Sequence, residues 1–238
     1  ANLFYGTGIP ACIIVLDKEN SATSKGIFMV DASKGFIKDG NKNRLRSQDI
    51  HKIVDIFNKQ LEIDKYSRLV PYDEITGNDF NLNIPRYVDT TDPEDLQDID
   101  AHMNGGIPDR DIDALASYWQ VFPGVRDSLF EPFGRKGYSG PRIDSSEVKA
   151  TIFGHHEFVA FNDTITALFG TWRSRHVPGL KAIAIGDRPA ALIHTLSEDL
   201  LATFHGAPLL DPYDVYQHLM DYWANTMQDD VYMLAQDG

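Results

Sequence analysis

Two short apolar runs rich in Ile and Val open the chain, IPACIIVL at 9–16 and GIFMVDAS at 26–33, separated by the polar stretch DKENSATSK. Their length and β-branched content predict two adjacent antiparallel strands, the second close to buried on both faces. The period then changes. In SQDIHKIVDIFNKQLE, Ile50, Ile53, Val54, Phe57 and Leu61 fall on one helical stripe, with Ser47 as N-cap and Asp49 in the first turn. YSRLVPYDEI and NLNIPRYV follow as short extended pieces, and Pro71 and Pro85 confine each to an edge or a bulge.

Beyond about Asp92 the strand pattern nearly vanishes. Asp109 is placed to cap a helix carrying Ile112, Leu115, Trp119 and Phe122, and the Gly- and Pro-rich PFGRKGYSGP at 132–141 reads as a loop or hinge. A helical block around 145–177 turns Phe158, Phe161, Ile165, Leu168 and Trp172 inward. Two later helices start alike: Asp187 caps with Pro189 in the first turn, and Asp211 caps with Pro212 at the first position. Leu192, Leu196 and Leu200 face inward on the first, and Val215, Leu219, Tyr222 and Trp223 on the second. The terminal DDVYMLAQDG reads as one more strand. The organisation is therefore a short mixed α/β part, residues 1–90, and a mainly α-helical part, 91–238. Two strands cannot cover both sheet faces unaided, so the first part is expected to be the remainder of a larger sheet, with the chain starting in mid-domain.

Composition narrows the class. The 238 residues are 42% hydrophobic and 24% charged, an ordinary globular balance. A single cysteine, Cys12, excludes an internal disulfide framework and a cysteine-built zinc site; its setting in an apolar run suits a small buried hydrophobe and a reducing, cytoplasmic location. No apolar run approaches the roughly 20 residues of a membrane helix, so no membrane partner is expected. The net charge of −13 excludes binding nucleic acid by bulk attraction; any DNA contact must be local. The charge is uneven: KDGNKNRLR at 38–46 is basic, whereas DTTDPEDLQDID and everything past Asp211 are acidic, the latter without one Lys or Arg.

Several motifs dissolve on inspection. Gly6-Thr7-Gly8 leads into an apolar run predicted as a strand, whereas a phosphate cradle opens onto a helix N-terminus, so a nucleotide-binding reading is weak. Either the loop is a tight approach to an edge strand, or Phe4 and Tyr5 present aromatic faces at the rim of a pocket. DPYD at 211–214 is explained by helix capping. In GHHEF at 154–158, adjacent histidines on a helix point about 100° apart, unlike a metal-binding H-E-x-x-H pair, and no metal is expected. Asp98, Asp100 and His102 read as a solvated face, and no G-x-S-x-G elbow marks a hydrolase. Lys38, Lys42, Arg44 and Arg46, interleaved with Asn41 and Asn43, are either phosphate contacts ahead of a helix or solvated surface. Asn81, Asn83, Arg86 and Tyr87 read as scaffolding of an extended segment.

Taken together, NLFYGTGIPACIIVLDK, GIFMVDASKGFIKDGNKNRLR, NDFNLNIPRYVD, NGGIP and GDRPAALIHTLSEDLLATF with LLDPYDVYQHLMDYWANTMQDDVYML resemble the modification (methyltransferase) subunit of type I restriction-modification systems. The likeness implies an adenine-N6 DNA methyltransferase that uses S-adenosylmethionine, works as two copies on one specificity subunit that reads DNA, and is joined by a restriction motor subunit. It implies that 1–90 are late strands of a Rossmann-like class I methyltransferase sheet and 91–238 a helical assembly and support domain. The family's cofactor loop and catalytic Asn-Pro-Pro-Phe have no counterpart here, so no catalytic and no cofactor-binding residue is expected in this chain, which alone should be inactive. What carries over is the aromatic that stacks on the flipped-out base, Phe4 with Tyr5 beside it, and as further candidates the DNA-phosphate contacts Lys42, Arg44 and Arg46. The alternative is a non-enzymatic module that binds the specificity subunit.

Overall fold

The computed structural model describes residues 2–4, 7–19, 23–91 and 96–238. Their contacts divide the chain into two compact units. The first runs to Pro93 and includes Tyr216–Met220; the second comprises the remainder from Glu94 onward.

In the first unit, β1 (Gly26–Val30) has the apolar composition its sequence promises, but its partner is not the 9–16 run. β2 (Ile37–Asp39) and β3 (Lys42–Arg44) form a hairpin, with Ile37 opposite Arg44 and Asp39 opposite Lys42. Gly40 takes φ +60° at the first position of the two-residue turn, where a type II′ hairpin requires glycine. The basic stretch ahead of the helix is thus largely a strand pair. α1 (Ser47–Lys59) follows, then β4 (Ser67–Pro71), which pairs antiparallel with β1 from Gly26 opposite Pro71 to Val30 opposite Ser67. α2 (Tyr72–Gly77) begins directly after Pro71, which closes the strand by lacking an amide donor.

Met29, Val70, Ile75, Tyr87 and Val88 form the core of this unit, with Ile27 and Ile84 packed against it. The Arg68 guanidinium ties it together, donating to both Glu74 carboxylate oxygens (3.2 and 2.7 Å) and to the Tyr87 carbonyl (3.1 Å). NLNIPRYV contributes a 3₁₀ turn, Ile84–Arg86, and not a strand. Proline in that turn fixes φ and leaves the segment no ladder to join.

The predicted strand at 9–16 does not form. No strand occurs among the described residues 7–19, and Ile13 is 91% and Leu16 90% exposed. Cys12, expected to be buried, is exposed with them. A β-rich sequence specifies an extended chain but not its neighbour, and here the backbone finds none. The stripe of α1 also departs from expectation: Ile56 is fully buried while Ile50, Val54, Phe57 and Leu61 lie at the surface.

The second unit is mainly helical. After α3 (Ile99–Asn104), β5 (Ile107–Pro108) leads into three short helices, α4 (Asp109–Asp113), α5 (Ala116–Val121) and α6 (Pro123–Leu129), where one helix was expected. β6 (Phe130–Pro132) and β7 (Tyr138–Pro141) follow, and the three strands form a small antiparallel sheet in the order β5-β7-β6. The supposed hinge at 132–141 is therefore part of a sheet. Its close packing needs glycine: a Cβ on Gly106, at φ +90°, would lie 2.7 Å from Phe133 Cδ1.

α7 (Val148–Gly154) precedes the long α8 (His156–Lys181). Phe158 and Phe161 of α8 pack on the cluster of Phe122, Val125 and Leu129, as the stripe predicted. Further along, Trp172 is buried and donates its indole N–H to the carbonyl of Leu196 in α9 (Pro189–Phe204). α10 (Pro212–Tyr222) begins at the predicted Asp211, whose carboxylate accepts the Tyr213 N–H at 2.9 Å. A π turn, Trp223–Met227, joins it to α11 (Gln228–Asp237). The expected terminal strand is therefore helix, because Val231 and Ala235, one turn apart, supply a buried face. Tyr222, predicted inward, is exposed.

Candidate functional site

The N-terminal segment and the β2–β3 hairpin form one recess. Asn2, Phe4, Thr7 and Gly8 line one side and Asn41 and Lys42, at the hairpin tip, the other; its volume is about 290 Å³. The Asn43 N–H of β3 donates to the Asn2 carbonyl at 2.9 Å and fixes the two walls together. Phe4 is 58% exposed, so its ring is held at the rim of the recess and not in a core. Tyr5, the second stacking candidate, lies outside the described residues.

The glycine loop has a local explanation. Thr7 Oγ1 accepts the Ile9 N–H at 3.1 Å, and a Cβ on Gly8 would stand only 3.3 Å from Asn2 Oδ1. Gly8 thus leaves room for the Asn2 carboxamide at the recess. No helix begins after it: the described chain to residue 19 is irregular, so the amide fan that would cradle a cofactor phosphate or carboxylate is missing. These residues do not fit S-adenosylmethionine.

The three candidate phosphate contacts occupy different settings. Lys42 lines the recess. Arg44 leans on Asp39 across the hairpin, Nε to Oδ2 3.3 Å, with both side chains exposed. Arg46 is the residue before α1, and here the predicted N-cap shifts: Ser47 is already helical. Asp49 reaches back to accept the Arg46 backbone N–H (2.8 Å), Nε (2.9 Å) and an Nη (2.9 Å). Burial works to raise the Asp49 carboxyl, but the hydrogen bonds and charge of Arg46 outweigh it and hold that group below its ordinary value. Arg46 is thereby committed to the start of the helix. Lys38 belongs to β2, with its ammonium 5.7 Å from the Phe36 ring centroid.

In the second unit, the structure brings His155, His156 and Glu157 together with donor atoms within 4.8 Å. The two imidazoles do not follow helical spacing, because His155 is extended (φ −67°, ψ 137°) and caps α8 without belonging to it. Both Glu157 oxygens accept the Gly124 N–H (3.0 and 2.9 Å), and one also accepts that of Val125 (3.3 Å), at the start of α6. His155 Nδ1 accepts the Glu157 N–H at 3.3 Å. These lone pairs are engaged in holding helix termini, which is a structural role. Asp98 and Asp100 are more than a solvated face: Asp98 caps α3 through the Ala101 N–H (2.9 Å), and both carboxylates receive the Tyr138 hydroxyl.

The model of the N-6 DNA methylase family matches residues 1–96. The N-terminal part of the chain is therefore similar to N-6 DNA methylases. The recess, the hairpin and the core of the first unit all lie inside the matched stretch, while the helical unit lies almost wholly beyond it. Curated relatives agree in kind. The type I restriction enzyme MpnII methylase subunit of Mycoplasma pneumoniae is 34% identical over 99 residues, covering 42% of this chain and 18% of that subunit. The MjaVII methylase subunit of Methanocaldococcus jannaschii is 37% identical over 102 residues, 41% of this chain and 17% of that subunit. The HindI methylase subunit of Haemophilus influenzae is 32% identical over 99 residues, 39% and 22% respectively. The resemblance to type I methylase subunits is thus shown, and the matched stretch spans less than a quarter of each of these relatives. No solved structure matches the chain significantly. Among the described residues, no helix is long and apolar enough to cross a membrane.

Proposed function

We propose that residues 1–90 supply the target-base wall of an adenine-N6 DNA methyltransferase of the type I restriction-modification class. Phe4 is the stacking residue and Lys42 the cation that meets DNA phosphate. The carrying observation is an aromatic ring exposed at the rim of a recess inside a methylase segment. Stacking of a base on an aromatic ring contributes roughly 1–3 kcal/mol in single-strand binders, and base-modifying enzymes extrude their target to reach it.

The unpaired apolar run at 9–16 supports the reading that this part belongs to a larger Rossmann-like sheet, since an extended segment so exposed calls for strand neighbours. The methyl donor, S-adenosylmethionine, binds elsewhere in that assembly. The residues described here take no step in the transfer beyond holding base and backbone.

In the complete methyltransferase, Phe4→Ala lowers methylation of DNA while cofactor affinity stays near normal; unchanged methylation kinetics would remove Phe4 from the site. The 238-residue chain by itself neither methylates DNA nor binds S-adenosylmethionine in calorimetry. Stoichiometric micromolar binding would overturn the assignment.

The helical unit is the part that assembles with the specificity subunit, two methylase copies to one, with the restriction motor joining the full complex. Its C-terminal stretch favours this: past Arg188 there is no Lys or Arg, and Tyr222, Tyr232 and Met233 are exposed on an acidic surface. Co-purification with the specificity subunit, lost when Tyr232 and Met233 are replaced by Ser, tests it.

A further inference from the structure

The turn between α8 and α9 closes one side of a cavity in the helical unit. The sequence promised Asp187 as the cap of α9, but that carboxylate turns back and its Oδ2 accepts the Ala184 N–H at 2.9 Å, so Arg188 takes the position ahead of Pro189. The Arg188 carbonyl accepts the Ala191 and Leu192 N–H groups, both at 3.0 Å. Its side chain has only donors, so it offers nothing to helix amides and stays exposed. Among the described residues that guanidinium has no hydrogen-bond or ion-pair partner, although the chain beyond it carries acidic residues and no Lys or Arg.

Asp187 and Arg188 both line the cavity, whose volume is about 300 Å³. Its other walls are mainly apolar, with Ile183 and Leu192 half-buried and Val231 and Ala235 of α11 buried. The Gly186 N–H donates to the Ala235 carbonyl at 2.8 Å, which fixes the charged turn against that apolar wall. Thr195 also lines the cavity; its hydroxyl donates to the Ala191 carbonyl at 3.0 Å and keeps lone pairs to accept with.

We infer that this cavity binds a free apolar α-amino acid. The ligand carboxylate pairs with Arg188, its ammonium meets Asp187 and the Thr195 hydroxyl oxygen, and its side chain enters the apolar part. Other classes leave a group unanswered: a hydrocarbon strands both charges, an organic anion meets Asp187 without compensation, and the interior of a peptide has neither charged terminus. The volume lies at the lower end of ligand pockets, which suits one amino acid and not a longer peptide. The site lies wholly beyond the stretch that matches N-6 DNA methylases, so it stands or falls apart from the role of Phe4.

The test is titration of the isotopically labelled 238-residue chain with leucine, methionine and phenylalanine, followed by amide chemical shifts. Isocaproate, which is leucine without its ammonium, isoamylamine, which is leucine without its carboxylate, and glycine serve as controls. At least one of the three amino acids is expected to perturb amides of residues 179–195 together with 231–235, and leucine to bind more tightly than any control. Arg188→Ala should weaken leucine by at least about tenfold and leave isoamylamine unaffected. Asp187→Asn, whose carboxamide oxygen still accepts the Ala184 N–H, should weaken leucine and leave isocaproate unaffected. Ala191→Phe should fill the cavity and abolish binding; a folded Ala191→Phe variant that still binds leucine would overturn the location. No perturbation by any of the three amino acids would overturn the site itself. Isocaproate or isoamylamine matching leucine would overturn the zwitterion assignment, and glycine matching leucine would overturn the role of the apolar walls.

Discussion

Replacing Asp49 by Asn isolates the arrangement that opens α1 and decides what Arg46 is for. The carboxylate is 6% exposed and accepts three hydrogen bonds from Arg46, two of them from a guanidinium that is 31% exposed. A hydrogen bond to a charged group contributes about 1.5–3 kcal/mol and an N-terminal cap about 1 kcal/mol. Partial exposure of the guanidinium screens the ion pair, so the lower part of that range applies, about 2 kcal/mol in all. That corresponds to roughly a 30-fold change in the opening equilibrium. Trp119, Trp172 and Trp223 all belong to the second unit, so indole fluorescence does not follow this event. Hydrogen exchange does: protection of the α1 amides should drop about 30-fold in Asp49→Asn, with little change in α8 and α9.

The pH dependence has a definite sign. The folded Asp49 carboxyl lies below the unfolded value of about 3.9, so its contribution is complete above that value and is lost as pH falls through the lower, folded one. Asp49→Asn removes that acid limb. Arg46→Ala should produce the same local loss and leave the salt dependence of DNA binding by the assembled enzyme unaltered. Unchanged α1 protection in Asp49→Asn would refute the capping argument. A salt slope shallower by about one unit in Arg46→Ala, with α1 intact, would return Arg46 to the DNA backbone.

Two further outcomes concern the helical unit. Gly106→Ala should destabilise it by roughly 2–4 kcal/mol in urea unfolding followed by indole fluorescence, combining left-handed backbone strain with the clash against Phe133; in a Phe133→Ala background the penalty should shrink to the backbone part, and an undiminished penalty would show that the ring is not involved. Asp199→Asn should cost about 1–2 kcal/mol, because the carboxylate joins α9 to α8 through His176 Nε2 and Arg175 Nη1, each at 2.6 Å. The hydrogen bond from His176, with Arg175 adding to it, lowers the Asp199 carboxyl, so this contribution too is present above the ordinary carboxylate value and disappears as pH falls below it; a variant and parent that acidify alike would dismiss the clamp.

Periodicity and capping chemistry located the elements that depend on local signals. α10 begins at its expected Asp211 cap, α1 carries its acidic first turn and α9 opens on Pro189, although Arg46 and Arg188 and not the expected Ser47 and Asp187 precede the latter two; Phe158, Phe161 and Trp172 of the α8 stripe meet their partners. What failed were inferences about neighbours. Strand composition at 9–16 promised a pair that the chain does not provide, and VYML at 231–234 looked extended although Val231 and Ala235 sit one helical turn apart. β5, β6 and β7 are two to four residues long, too short for alternation to register. At the candidate site, Phe4 and Lys42 were both nameable in advance, but their meeting was not, because it depends on a turn at Gly40 and a backbone hydrogen bond between segments 41 residues apart in sequence. Asn41 drew attention only as part of a basic tract.

The unpaired ribbon that starts at Ile9 has a practical consequence for anyone preparing this polypeptide. Residues 11–16 hold no charge and no proline, and their amides and carbonyls stand ready to zip onto any strand that comes near, another copy included. Clumping should therefore grow with concentration, and a lysine substituted for Ile14 should keep the preparation clear without disturbing either unit's interior.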